Sequence, residues 1–143
     1  MRIFISILLF LPFVAFGKFE VQDSEIFCFK EDNLDNYAVL IALKFKNQKA
    51  EVILTDTNSP DLHAEPEVKK LDIRADEISM TINNLGTEFI LYVNRKSLLI
   101  NLTQLDEYVS VSFKNCKKVT NSEEMLFEKK KELIDNYTKN KQI

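Results

Sequence analysis

The chain has 143 residues, of which 45% are hydrophobic and 29% are charged, and its formal net charge is −3 at pH 7. This length is enough for one domain with its own hydrophobic core, and the mildly acidic balance argues against nucleic acid and anionic membrane surfaces as partners. Two glycines in the whole chain leave no glycine-rich phosphate loop, and no cofactor is predicted.

The first 17 residues have the pattern of a secretory signal peptide. Arg2 supplies a short positive region, residues 3–16 form an apolar run, and Ala15-Phe16-Gly17 places small residues before a cut that would leave Lys18 first. The run is shorter than the about 20 apolar residues that span a bilayer. We therefore predict residues 1–17 as a signal peptide and a secreted or periplasmic protein with no stable membrane span after cleavage. An uncleaved N-terminal anchor is the alternative.

Residues 18–119 are predicted to form one mainly β domain. Short segments in which apolar and polar residues alternate, separated by turn residues, are typical of half-buried antiparallel strands. Asn47-Gln48 and Asn84-Leu85-Gly86 mark two tight turns. The pattern predicts an antiparallel meander of about eight strands that forms a small barrel or sandwich. The predicted strands are Ser24–Lys30, Asn36–Lys46, Lys49–Asp56, Lys69–Ala75, Glu77–Asn83, Glu88–Asn94, Ser97–Thr103 and Tyr108–Cys116.

The two cysteines, Cys28 and Cys116, lie in the first and the last predicted strand. In an exported chain an even number of cysteines predicts a disulfide bond. A bridge between these strands fits a closed meander, because its first and last strands are neighbours. Two free thiols in a reducing compartment are the alternative.

The longest irregular segment, from Thr57 to Glu67, contains the only histidine, His63. If the segment were extended, its residues 61, 63, 65 and 67 would share one face and offer an imidazole and three carboxylates to a cation. A calcium-loop spacing that starts at Asp56 fails, because Pro60 and Asp61 stand where the loop needs a ligand and a glycine. We assign no metal site and predict a partner-contact loop, since long loops on rigid scaffolds carry binding residues. The candidate contact residues are Asp56, Asn58, Asp61, His63, Glu65 and Glu67.

Residues 120–143 are predicted to form an amphipathic helix. Asn121 and Glu124 have the spacing of a capping box. The apolar stripe that follows is expected to pack on the β domain, and a partner-binding helix is the alternative. The stripe consists of Leu126, Phe127, Leu133, Ile134 and Tyr137. The run Lys129-Lys130-Lys131 is flanked by glutamates, which indicates a solvated helix face.

No catalytic set stands out. The chain has no Gly-x-Ser-x-Gly motif, and its single histidine is the sole candidate base for a nucleophilic triad. Two glycosylation sequons begin at Asn101 and Asn136, about the number expected by chance from the composition.

In architecture alone, the predicted disulfide-tied meander resembles the periplasmic lysozyme inhibitors and the lipocalin-like barrels. The lipocalin Gly-x-Trp signature is absent because the chain has no Trp, and no site residue is carried over from either group. We predict a non-enzymatic exported protein that binds a protein partner or a small apolar ligand. The alternatives are a small secreted hydrolase that uses paired carboxylates and a structural envelope-associated protein.

Overall fold

A computed structural model describes residues 23–84, 86–106 and 110–141 of the chain. The predicted signal peptide, residues 1–17, lies outside the described residues. The described elements are β1 (Glu25–Asp32), β2 (Tyr37–Lys46), β3 (Lys49–Asp56), β4 (Glu67–Lys70), β5 (Asp72–Ile73), β6 (Glu77–Asn84), β7 (Thr87–Asn94), β8 (Ile100–Gln104), β9 (Ser110–Phe113), β10 (Asn115–Val119) and the helix α1 (Ser122–Lys141).

The strands form two five-stranded sheets, which confirms the predicted antiparallel, mainly β fold and favours the sandwich. Sheet A has the order β10-β1-β2-β3-β4, and sheet B has the order β5-β6-β7-β8-β9. Neighbouring strands are antiparallel in both sheets. The turn between β2 and β3 consists of Asn47 and Gln48, whose φ angles of 52° and 62° suit a two-residue hairpin turn.

Two of the eight predicted strands cross from one sheet to the other, so the described residues form ten strands. Leu71 alone separates β4 from β5, and Lys114 alone separates β9 from β10. The first crossing strand pairs with β3 in sheet A and then with β6 in sheet B. The second pairs with β8 in sheet B and then with β1 in sheet A. These crossings join the two sheets along both sides of the sandwich.

The main hydrophobic core lies between the two sheets. Strand alternation directs every second side chain of each sheet inward, where the apolar groups are removed from water. Phe45 of sheet A and Phe113 of sheet B are both fully buried there. The other buried members of this core are Ile26, Cys28, Ile41, Leu43, Ala50, Val52, Ile78, Met80, Ile82, Leu91, Val93, Ile100 and Leu102.

The predicted disulfide bond is present and joins the first strand of sheet A to the last. Cys28 and Cys116 lie directly opposite each other in the β1–β10 register, with a Cα–Cα distance of 4.3 Å. The two residues are 88 positions apart in the chain. The bridge therefore fixes the side of the sandwich at which the chain returns to its first strand.

The helix α1 covers the outer face of sheet A. Its residues Leu126, Leu133 and Tyr137 form a second core with side chains of the three central strands, β1, β2 and β3. The sheet contributes Phe27, Ala38, Leu40, Ala42 and Ile53. Sheet A is consequently buried on both faces, whereas no helix among the described residues covers the outer face of sheet B.

The N-terminus of α1 is capped from two directions. As the capping-box spacing predicts, the Asn121 side chain accepts a hydrogen bond from the Glu124 backbone N–H at 3.4 Å. The Glu124 carboxylate accepts a hydrogen bond from the side-chain amide of Asn121. The Glu25 carboxylate of β1 also accepts hydrogen bonds from the Ser122 backbone N–H at 3.1 Å and from its hydroxyl at 2.9 Å. A carboxylate at this end also complements the helix dipole. Within the described ranges, no helix has the long apolar stretch needed to cross a bilayer.

Candidate functional site

An open cleft with a volume of about 740 Å³ lies where β1 and β9 diverge. Pairing between β1 and β10 ends at Phe29 and Asn115, although β1 continues to Asp32. β9 is paired with β8 on one side and forms the edge of sheet B on the other. The cleft is therefore bounded by two strand edges, and its lining consists of Phe29, Lys30, Glu31, Asn33, Ser110, Ser112, Lys114 and Asn115.

The backbone of Glu31 directs its hydrogen-bonding groups into this cleft. The Cα–Cα distance of 4.3 Å between Cys28 and Cys116 is that of a non-hydrogen-bonded antiparallel pair, in which the backbone groups point away from the partner strand. Because this direction alternates along a strand, Phe29 points its backbone groups toward β10 and Lys30 points them toward β2. Glu31 then points its N–H and C=O to the side on which the β10 ladder has ended.

The side chains of the cleft differ in how they are held. The Glu31 carboxylate accepts a hydrogen bond from the Tyr137 hydroxyl of α1 at 3.2 Å. Burial of Tyr137, together with the charge of Glu31 and this hydrogen bond, raises the pKa of the phenol to about 12. Lys30 and Lys114 are exposed, and neither forms an ion pair with a residue of the described ranges. The cleft thus holds one carboxylate that is already engaged and two ammonium groups that are not.

The wall of the cleft formed by β1 is supported by the helix. The Lys129 ammonium of α1 lies 4.9 Å from the centre of the Phe29 ring, a cation–π contact. The Phe29 ring also stacks on Phe27 with a centroid distance of 5.9 Å. Sequence patterns missed this cleft, because each of its strands resembles an ordinary strand and the opening arises from where their pairing stops.

The predicted contact loop is held against the body of the protein. Asp56, at its start, accepts hydrogen bonds from the Tyr37 hydroxyl at 3.2 Å and from the backbone N–H groups of Asn58 at 3.0 Å and Ser59 at 3.2 Å. Burial raises the pKa of Tyr37, and the charge of Asp56 and their hydrogen bond act in the same direction. This arrangement is the Asx turn that aspartate favours at the start of a loop, so Asp56 shapes the loop.

Lys130 of α1 ties this loop to the helix. Its ammonium donates hydrogen bonds to the Thr55 hydroxyl at 2.9 Å and to the backbone carbonyl of Asp61 at 2.6 Å. Burial lowers the pKa of Lys130, and the nearby charges of Asp56 and Asp61 oppose that effect. The ammonium therefore supplies donors to two oxygens on β3 and the loop that follows it.

The prediction that all three lysines of the 129–131 run are solvated is wrong for Lys130, whose exposure is 0%. Lys130 follows Leu126 by four positions and precedes Leu133 by three, so it lies within the packed stripe of α1. Its neighbour Lys131 is exposed, as predicted. The helical spacing places Lys130 on the apolar stripe and would have predicted its burial. The glutamates that flank the lysine run indicated a solvated face instead.

The remaining candidate residues of the loop do not converge on one point. The exposed His63 lies beside α1, with its ring centre 6.1 Å from that of Phe127. Glu67 forms an ion pair with Lys69 at 3.2 Å, and both Glu65 and Glu67 line a separate hollow of about 200 Å³ between β3 and β6. Among the described residues, no three His, Cys, Asp or Glu side chains lie close enough together to bind a metal ion.

The two sequon asparagines occupy different environments. Asn101 lies in β8, half-buried, and its side-chain oxygen accepts a hydrogen bond of 2.6 Å from the Ser112 hydroxyl of β9. Asn136 lies on the exposed face of α1. A glycan on Asn101 would require this hydrogen bond to break, whereas Asn136 presents no such contact among the described residues.

No family model, curated protein or solved structure matches this chain, so its function is argued from the fold and the cleft alone.

Proposed function

We propose that this chain is an exported, non-enzymatic binding protein that recognises a protein partner through the cleft between β1 and β9. An extended segment of the partner adds to a strand edge in the cleft and forms backbone hydrogen bonds there. The observation that carries the proposal is the early end of the β1–β10 ladder, which leaves the edges of β1 and β9 facing a cleft of about 740 Å³.

Strand addition is a common mode of peptide recognition because a sheet edge offers a row of backbone donors and acceptors. Proteins usually protect such edges by covering or charging them, since an open edge pairs with other chains. Here the N–H and C=O of Glu31 face the cleft, and the disulfide and α1 hold β1 in place beside it. A rigid strand costs little entropy to order on binding, which favours affinity.

The packing supports a protein partner over a small apolar ligand. Large side chains, including Phe45 and Phe113, fill the space between the sheets and are fully buried. The cleft itself is lined mainly by polar and charged side chains, with Phe29 as its apolar member. Pockets for small ligands are instead mostly apolar.

The single carboxylate of the cleft supports a binding protein over a hydrolase at this site. A glycosidase needs two carboxylates across a cleft, one of them with a raised pKa. The lining of the cleft contains one carboxylate, Glu31, which already accepts a hydrogen bond from Tyr137. Within the described ranges, the buried polar side chains are Ser122 and Lys130, and neither is acidic.

The disulfide bond and the signal-peptide pattern support a secreted or periplasmic location. Disulfide bonds form and persist in oxidising compartments. The bond between Cys28 and Cys116 closes the sheet that carries one wall of the cleft. In an oxidising compartment the disulfide bond stays intact and keeps that wall of the cleft in place.

The test compares two substitutions at one residue. Glu31→Pro removes the N–H that faces the cleft and leaves the β1–β2 ladder intact, since that N–H points away from β2. Glu31→Ala removes the same carboxylate but keeps the N–H, which makes it the matched control. We expect the wild type and Glu31→Ala to capture the same protein from the native extract, and Glu31→Pro, folded by circular dichroism, to lose it.

Retention of that protein by Glu31→Pro would contradict strand addition at β1. Recovery of bound lipid and no protein by the wild type would instead favour an apolar ligand. Mass spectrometry of the captured material distinguishes these outcomes.

A further inference from the structure

The positions of two lysines in the cleft narrow the chemistry of its occupant. We infer, on the basis of the proposed function, that the cleft binds an acidic peptide segment, with carboxylates at alternate positions that meet Lys30 and Lys114.

Lys30 and Lys114 directly follow the last pair of the β1–β10 ladder, Phe29 and Asn115, one on each strand. The ladder runs from Glu25 opposite Val119 to Phe29 opposite Asn115, so one further step would place Lys30 opposite Lys114. Like charges directly opposite each other destabilise an antiparallel pair. The two ammonium groups therefore oppose closure of the ladder and leave a cationic mouth that a carboxylate would neutralise.

The one carboxylate beside these lysines faces elsewhere. Along β1, Ile26 and Cys28 point into the core between the sheets, and Lys30 follows them on that face. Phe27 and Phe29 point toward α1, and Glu31 follows them to meet the Tyr137 hydroxyl. Glu31 is thus directed to the opposite face of the strand from Lys30.

Charge makes the cleft selective. The chain as a whole carries −3, yet the lining of this cleft contains two lysines and one glutamate. The two lysines attract an acidic segment at this mouth although the net charge of the chain is negative, and such local complementarity contributes mainly to specificity and association rate. A basic segment would be repelled by the two lysines and would bind the cleft less well.

The dimensions fit a short extended segment. The edge of β9 runs over four residues, Ser110–Phe113, which is about 13 Å at about 3.3 Å per residue. Every second residue of an added strand faces the same side, about 6.6 Å apart. A segment of at least four residues with alternate acidic side chains therefore presents its carboxylates along one face of the cleft.

The test uses three acetylated and amidated hexapeptides in which threonine alternates with glutamate, glutamine or lysine. We expect the glutamate peptide to bind the wild type about 2- to 25-fold more tightly than the glutamine peptide, the range expected for two solvent-exposed ion pairs. The lysine peptide should bind most weakly, and the differences should shrink as salt increases. Titration followed by NMR chemical shifts measures weak affinities of this kind.

A matched pair of variants locates the effect. Lys30→Glu should remove or reverse the preference for the glutamate peptide. Lys117→Glu changes the net charge by the same amount on β10, but its register partner Phe27 points toward α1 and away from the space between the sheets. This control should retain the wild-type preference.

The outcomes separate this inference from the proposed function. Equal binding of the three peptides, or an unchanged preference in Lys30→Glu, would overturn the acidic specificity and leave strand addition standing. Failure of all three peptides to bind at millimolar concentration would overturn the proposed function itself. Equal binding of a glutamate peptide N-methylated at every residue would also overturn it, because such a peptide has no backbone N–H to donate to the ladder.

Discussion

Replacing Lys130 with methionine tests whether one buried ammonium holds the long loop on the helix. Methionine keeps an unbranched stem of similar length, so the apolar packing between Leu126 and Leu133 is largely preserved. The substitution removes the donors to the Thr55 hydroxyl at 2.9 Å and to the Asp61 carbonyl at 2.6 Å. The change therefore isolates the hydrogen bonds from the packing.

Two opposing contributions determine how far Lys130→Met lowers the free energy of unfolding. Hydrogen bonds to a charged group contribute about 1.5–3 kcal/mol each. Burial of the ammonium offsets part of this gain, as the lowered pKa of Lys130 indicates. Water also reaches the exposed Asp61 and the half-buried Thr55 once the donor is gone. We expect the free energy of unfolding to fall by about 1–3 kcal/mol, a substantial share of the typical stability of a domain.

Two assays separate stability from loop attachment. Urea unfolding measures the free energy of unfolding, and limited proteolysis by chymotrypsin, with the cut after Leu62 identified by mass, reports how often the loop leaves the helix. Lys131→Met on the exposed face of α1 is the matched control and should change neither readout. If Lys130→Met and Lys131→Met gave the same stability and the same cleavage rate, the attachment of the loop through Lys130 would be refuted.

Two further predictions concern other links of the fold. Because the pKa of Tyr137 is raised to about 12 from its ordinary value of 10.0, its contribution to stability is fully present below about pH 10 and is lost as pH rises through 12, a loss of about 2–3 kcal/mol. Tyr137→Phe should lack this part of the alkaline fall in urea unfolding, and parallel curves for the two proteins would contradict the raised pKa of Tyr137, whose largest cause is burial. Replacing both Cys28 and Cys116 with serine should lower the free energy of unfolding by about 4–5 kcal/mol, given their separation of 88 residues; an unchanged urea midpoint would count against this account.

The sequence predicted the features that depend on local periodicity. Alternation located the strands, the Asn121 and Glu124 spacing located the start of α1, and the cysteines predicted the bridge. The crossings at Leu71 and Lys114 were missed, because a strand that changes sheets keeps the same alternation on both sides of the corner. Only the identity of the pairing strand changes, and no short stretch of sequence records it.

The site was harder to predict, because its chemistry arises from distant parts of the chain. The loop after β3 stays a predicted contact surface, and two of its oxygens accept hydrogen bonds from the body of the protein, that of Asp56 from Tyr37 and the carbonyl of Asp61 from Lys130. The cleft is lined by the end of β1 and by β9, which are far apart in the sequence. The residues next to Lys30 and Lys114 do not indicate that these two lysines line one cleft. That Lys30 and Lys114 line one cleft beyond the last pair of the ladder is evident only when the register is known.

Because β10 pairs with β1, sheet A can be completed only late in the synthesis of the chain. β1 gains its outer neighbour only when residues 115–119 have been made, and the outer face of sheet A is covered only after α1 follows. Contacts between residues so far apart in the chain are slow to form, and domains with many of them fold in about milliseconds to seconds. A nascent chain that ends before β10 exposes an open strand edge and an uncovered apolar face. The C-terminal elements β10 and α1 therefore complete sheet A and the second core. A short C-terminal truncation should lower the free energy of unfolding more than a deletion of equal length in the loop after β3.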